Sequence, residues 1–378
     1  MAASEIGSRA VLIRSDRGIS AADGLPSNVG RASLVHALIE AFGLCSAVRI
    51  VGARAATDAE LTEFHSEEYI RCLLHPDEVS DRDSDSDGGD DRLKRFGLLY
   101  DCPVFEGIEE HARMAAGGTL TAAACLIDGS ARVAVHWEGG RHHGQRGRAA
   151  GFCYVNDAVL GILLLQRQFE KVLYIDLDLH HGDGVQDAFL HSNKVMTLSI
   201  HHHDRGFYPN SGGAADEGRG RGVGHGINAA LRRGASDAVF TRVFAAAASA
   251  AMGGFGPQAV VVQCGCDGLA GDPHKVFNLT GQALVDAVQT VLGWNLPTLL
   301  LGGGGYNHSN AARCWARITA VAAGGQDISP LRDIPEHAFL NDYAPSFDMA
   351  IDATLAVDEN TDESIEATIR AVRAAIGI

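Results

Sequence analysis

The sequence predicts an α/β protein: one mostly parallel β-sheet with helices on both faces. Three observations carry this expectation. Short, continuous apolar runs recur along the chain, as strands buried on both faces require. Segments with apolar residues at helical spacing fall between them. No linker separates two cores and no internal repeat occurs, so the 378 residues read as a single domain, 1–378.

The elements follow in chain order. A strand is expected in AVRIVGA (47–53), followed by a helix running toward Leu74. Thr57 and Glu60 have the spacing of a capping box, which satisfies two backbone donors at that helix start. The segment 77–92 is acidic, rich in Asp, Ser and Gly and nearly free of apolar residues. It buries too little to offset its ordering entropy, so it reads as a flexible surface loop. A helix over 105–128 precedes the strand RVAVHW (132–137), and a helix over 154–169 precedes KVLYIDLD (171–178) and VMTLSIH (195–201). Helix 237–252, strand AVVVQCG (259–265), helix 279–293, strand PTLLLGG (297–303) and helix 307–323 complete the alternation. A last helix follows TDES (361–364). Strands alternating with helices build parallel sheets.

Composition narrows the function classes. At 46% hydrophobic and 21% charged, the chain has an ordinary globular composition. The formal net charge of −16 argues against direct nucleic-acid binding, which needs a basic face, and suits a cationic partner. No uninterrupted apolar run approaches the roughly 20 residues of a membrane span, and MAASEIGSRA is not a secretory signal. An intracellular protein with reduced thiols is expected, its Cys264-x-Cys266 pair buried at a strand end.

The chemistry collects where the apolar runs end. Ligands of parallel sheets bind at the carboxyl ends of the strands, where the connecting loops open. There VAVHW leads to His142 and His143, VLYI to Asp176, Asp178, His180, His181 and Asp183, VVVQCGC to Asp267, and the glycine run 302–305 to Tyr306. In an extended chain Asp178 and His180 point the same way. With Asp267 they form one imidazole and two carboxylates, three ligands that leave a position open, as in catalytic zinc sites. Fe(II) or Mn(II) suits such a set as well. Asp176 and Asp183 remain free to orient His142 and His143, and a positioned histidine beside a metal-activated water is a hydrolytic arrangement. The Tyr306 hydroxyl is placed to donate to a developing oxyanion. His181 is read as structural, and HHHD (201–204) as partly a solvent-exposed run.

The segments HHGQRGRAAGFCYVNDAVLGI (142–162), DLDLHHGDGVQDAF (176–189), CGCDGLAGDP (264–273) and LGGGGYN (301–307) closely resemble the zinc-dependent histone deacetylases of class I. The likeness runs from RASLVHALIEAFGL (31–44) to NDYAPSF (341–347) and is greatest to the short, single-domain members. It implies an arginase/deacetylase-like sheet of about eight strands, and removal of acetyl groups from the ε-amine of lysine in histones or other proteins. On this resemblance Asp178, His180 and Asp267 hold Zn2+, with Fe2+ as an alternative. His143 is general base and acid with Asp183 behind it, His142 with Asp176 gives electrostatic support, and Tyr306 stabilises the oxyanion. Asp101 grips the substrate backbone, while Gly151, Phe152, Tyr208, His274 and Gly304 line the substrate site. A first K+ site is implied at Asp176, Asp178, His180, Ser199 and Ile200, a second at Phe189, Ser192, Val195 and His225. Acetylated peptides, corepressor-like protein partners, hydroxamate inhibition and a place in nucleus or cytoplasm follow from the same likeness.

Three positions depart from the family pattern: Tyr208 stands where Phe is usual, His274 where Leu or Met is common, and Arg141 where an apolar or aromatic residue is common. They imply a polar rim. An acetylpolyamine hydrolase, an arginase-like enzyme of the same fold and an inactive acyl-lysine scaffold stay open as alternatives. The acidic segment would attract basic peptide if it lies near the mouth.

Overall fold

A computed structural model describes residues 10–76 and 88–378. Eight strands form one sheet: β1 (Ala10–Ile13), β2 (Arg49–Val51), β3 (Val133–His136), β4 (Val172–Asp176), β5 (Val195–His202), β6 (Gly226–Leu231), β7 (Ala259–Gln263) and β8 (Thr298–Leu301). Their order is β2-β1-β3-β8-β7-β4-β5-β6, and every pairing is parallel. Alternate residues of one strand enter two separate cores: Leu173 and Ile175 point to one, Val172 and Tyr174 to the other. Period-2 alternation into two apolar layers is why the runs look continuous in sequence.

The first core is closed by the helices Arg31–Ala41, Asp237–Phe255, Gln282–Gly293, His308–Ala322 and Asp362–Ile376, and the second by Glu67–Leu74, Ile108–Ile127 and Asp157–Leu165. The helix Asp237–Phe255 is long and apolar enough by length and composition to cross a membrane, contrary to the reading of the runs. Here it is a core helix, with Phe240, Val243, Phe244, Ala247 and Ala251 buried.

Several expectations need correction. Two strands were not read: β1 is only four residues, and β6, GINAAL, holds few β-formers. The 47–53 run is an edge strand with Ile50 exposed, not a buried one. The capping box at Thr57 and Glu60 is present, but its helix stops at Leu61 and a second, capped by Ser66, runs Glu67–Leu74. Of the 77–92 segment, 77–87 lie outside the described residues. Its end belongs to the helix Gly88–Arg95, whose last turn is basic and complements the helix dipole.

Close packing beneath the sheet generates a stability prediction. Gly117 lies inside the helix Ile108–Ile127, where alanine normally gains about 1 kcal/mol. A Cβ there would press on backbone atoms of Arg54, Ala55 and Ala56. Gly117→Ala should therefore destabilise the protein, by about 1–3 kcal/mol in denaturant unfolding; a stabilised variant would refute this packing.

Candidate active site

Parallel pairing sets the site. Asp176 is level with Ser199 of β5 and Gln263 of β7, and Gln263 is level with Leu301 of β8. The loops leaving β4, β7 and β8 therefore start side by side. Ligand atoms of Asp178, His180 and Asp267 all lie within 4.8 Å of one another, and the three residues are buried. His180 Nδ1 is 2.8 Å from Asp267 Oδ2 and 3.3 Å from Asp178 Oδ1.

Backbone and amide donors aim these carboxylates. Asp178 Oδ2 accepts from Gln263 Nε2 at 2.8 Å and from Gly304 N at 2.9 Å. Asp267 Oδ1 accepts from Leu179 N at 2.9 Å. Burial and the neighbouring Asp178 charge push Asp267 upward, whereas Asp178 is held well below the usual range, despite burial, by His142 and His180. Burial disfavours a charged His180, yet Asp267 and Asp178 raise it to about 10. Two buried carboxylates that favour a cation between them fit a divalent metal. One nitrogen and several oxygens suit Zn2+ or Fe2+.

The two adjacent histidines stand in opposite electrostatic surroundings. His142 Nδ1 lies 2.8 Å from Asp176 Oδ2, which also accepts from the Tyr174 hydroxyl at 2.6 Å. Burial opposes its charge, but Asp176 and Asp178 outweigh that and raise it to about 9. His143 Nδ1 is 2.6 Å from Asp183 Oδ1, and Gln145 Nε2 donates to the other Asp183 oxygen at 3.1 Å. Burial and the His142 charge depress His143 to about 4, with Asp183 opposing only in part. The rings are 3.9 Å apart between centroids. A cationic imidazole thus sits beside a neutral one, and strongly perturbed groups of this kind collect at functional sites.

Tyr306 follows the glycine run after β8. Burial and the two metal-site carboxylates hold its phenol well above the usual value, so it stays a donor. Its ring packs at 4.9 Å from His274 and 5.7 Å from Phe152. Tyr208 turns toward His143, 4.9 Å between centroids, and Gly151 lies against both, where a Cβ would clash. Asp101 Oδ2 accepts from Gly151 N at 2.7 Å, tying this exposed carboxylate to the turn beside His143 and Tyr208. His274 also faces His180 at 4.9 Å.

Of the residues assigned to K+, Asp176 ends β4 level with Ser199 of β5, Ile200 follows Ser199 in that strand, and Asp178 lies two residues beyond β4. Phe189 O accepts from Ser192 N, Val195 opens β5, and His225 O accepts from Thr197 N beside it.

Arg141 is not on the rim. It is buried, its Nε has no partner, and it lines a small internal cavity with Arg31, Trp137, Glu138 and Trp315. HHHD is solvent-exposed in part, as expected: His203 and Asp204 are exposed, whereas His201 and His202 are buried and bonded to Gly212 O and Leu231 O. His181 is structural as expected, held by Ser211 and Gln186. Sequence reasoning missed Gln263, Arg31, Asp157 and Asp272. Arg31 donates to Gly305 O and Gly303 O at 2.9 and 3.0 Å, and Asp157 accepts from Gly140 N and Arg141 N below the His pair. Buried polar residues that bond backbone carry no motif of their own; only their burial gives them away.

The comparison with known proteins decides the family. A histone deacetylase domain profile matches residues 25–322. The chain belongs to the histone deacetylase family. Histone deacetylase 8 of Danio rerio is 42% identical over 363 residues, 96% of this chain and 94% of that protein. Its counterpart in Xenopus tropicalis is 41% identical over 364 residues, 96% of each chain. Histone deacetylase 1 of Homo sapiens is 38% identical over 345 residues, 91% of this chain and 69% of that one. This histone deacetylase is a metal-dependent lysine deacetylase of class I, a hydrolase.

The split between the two histidines is measurable. In an NMR titration of the histidine rings, His142 should titrate near pH 9 and His143 stay neutral down to about pH 4. Asp176→Asn removes an anion that stabilises the His142 cation, so its midpoint should move to lower pH. A midpoint that does not move would disprove the pairing.

Proposed function

We propose that the site hydrolyses acetyl-lysine with Asp178, His180 and Asp267 as the ligands of Zn2+. The observation that carries this reading is the neutral His143, held by Asp183, beside a buried donor cluster suited to a divalent cation. When bound, the metal supplies Lewis acidity, polarising the acyl oxygen and making water a better nucleophile.

The protein groups do the rest. The lysine alkyl chain would pass Phe152 and Tyr208 beside Gly151, with Asp101 accepting from the peptide backbone. His143 takes a proton from the attacking water at Nε2, while Asp183 keeps Nδ1 protonated and fixes the ring. The cationic His142 and the Tyr306 hydroxyl face the negative charge that grows on the acyl oxygen. His143 then gives its proton to the departing Nζ, the C–N bond breaks, and acetate and lysine result. His274 and Gly304 complete the substrate wall.

The K+ sites at Asp176, Asp178, His180, Ser199 and Ile200 and at Phe189, Ser192, Val195 and His225 belong to the same proposal. Relatives named histone deacetylase support acetylated histone tails as substrates and a nuclear place of action. The net charge of −16 suits such basic peptides.

The test is metal content together with turnover of acetyl-lysine peptides and acetylspermidine. Peptide turnover that disappears on chelation and returns with Zn2+ or Fe2+ is expected. Tyr306→Phe should lower kcat about 10²–10³-fold, and His143→Ala about 10²–10⁴-fold. Wild-type rates in both variants would sink the assignment, and preference for acetylspermidine would move it to a polyamine enzyme.

A further inference from the structure

We propose that Asp272 is a positioning residue for deacetylation, a single buried carboxylate that fixes both Tyr306 and His274. The proposal rests on the reading that Tyr306 acts on the acyl oxygen. Asp272 follows β7 by nine residues and is 1% exposed. Its two oxygens divide the work. Oδ2 accepts from Tyr306 N at 2.8 Å and, at 3.4 Å, from Asn307 N. Oδ1 accepts from His274 N at 3.0 Å and from His274 Nδ1 at 2.9 Å. One side chain thereby joins the tyrosine loop to the loop at the substrate mouth.

The tyrosine loop needs such an anchor. Four glycines precede Tyr306, and Gly305 has φ +128°, so the backbone there has little preference of its own. Arg31 grips the loop from one side through Gly303 O and Gly305 O. Asp272 grips it from the other at the backbone nitrogen of the reacting residue. The Tyr306 ring also leans on His274, and Asp272 sets the orientation of that imidazole. A helix-capping role does not account for the contact. Asn307 already caps the helix His308–Ala322 by accepting from Asn310 N at 3.2 Å.

An asparagine of the same shape keeps one acceptor and turns an NH2 donor toward N–H groups, so one arm must fail. Displacing a catalytic group by about 1 Å costs on the order of 10²-fold. In metal-loaded enzyme, Asp272→Asn should therefore lower kcat about 10–100-fold and leave KM nearly unchanged. In a Tyr306→Phe background the same substitution should change the residual rate by less than about twofold, because groups acting as a unit are not additive. Backbone amide exchange over 302–308 should rise in the metal-free variant, while that over 237–255 stays as in wild type. Equal losses in both backgrounds, full activity of Asp272→Asn, or faster exchange throughout the chain would overturn the proposal. Wild-type rates in Tyr306→Phe alone would instead overturn the reading on which it rests.

Discussion

The register between β4 and β7 is the constraint on which the site depends. Val172 to Asp176 runs level with Ala259 to Gln263, every residue of both strands buried. A slip of one residue would turn Leu173 and Ile175 out of one core and into the other, so the apolar layers hold the register without help from the site. With that register set, Asp178 and His180 leave β4 beside Asp267 leaving β7. The donor cluster follows from apolar packing several residues away.

Burying so many ionisable groups then forces a division of charge. Asp176 and Asp178 lie against His142 and make it a cation, and that cation, with burial, keeps His143 neutral. Burial opposes charge on both rings; two carboxylates overcome it at His142, whereas Asp183 does not at His143. The same logic reaches the phenol of Tyr306, which is kept protonated by burial and by the carboxylates of the donor cluster. Three groups of different acidity thus stand in one buried volume, and perturbed groups gathered in this way mark functional sites.

Much of this was legible in the sequence. Strand ends carrying Asp178, His180, Asp267, the His pair and Tyr306 are readable because apolar runs announce strands and parallel sheets place their loops together. All six apolar runs read as buried strands and five are; the sixth, β2, differs because an edge strand such as Arg49–Val51 has the same apolar letters with one face open. The helix toward Leu74 was joined across residues 62–66 because helical spacing continues through the break, while Ser66 restarts it. Arg141 is assigned to a polar rim because it departs from the family pattern; in the fold it is buried near Arg31 and Glu138, a placement that tertiary structure alone reveals.

What escaped most completely are the buried polar groups that hold loop backbone in place. Gln263 steers Asp178 with one amide arm and accepts from Gly265 N with the other. Asp157 gathers Gly140 N and Arg141 N just before the His pair, and Asp272 gathers Tyr306 N. Each sits where a loop rich in glycine must hold one conformation. Glycine lets such a loop approach a ligand closely but supplies no restraint, so the restraint has to come from a neighbouring buried side chain. A residue carried on a glycine run is therefore only as well placed as the buried polar groups that bind its backbone. For Tyr306 those groups are Arg31 on one side and Asp272 on the other.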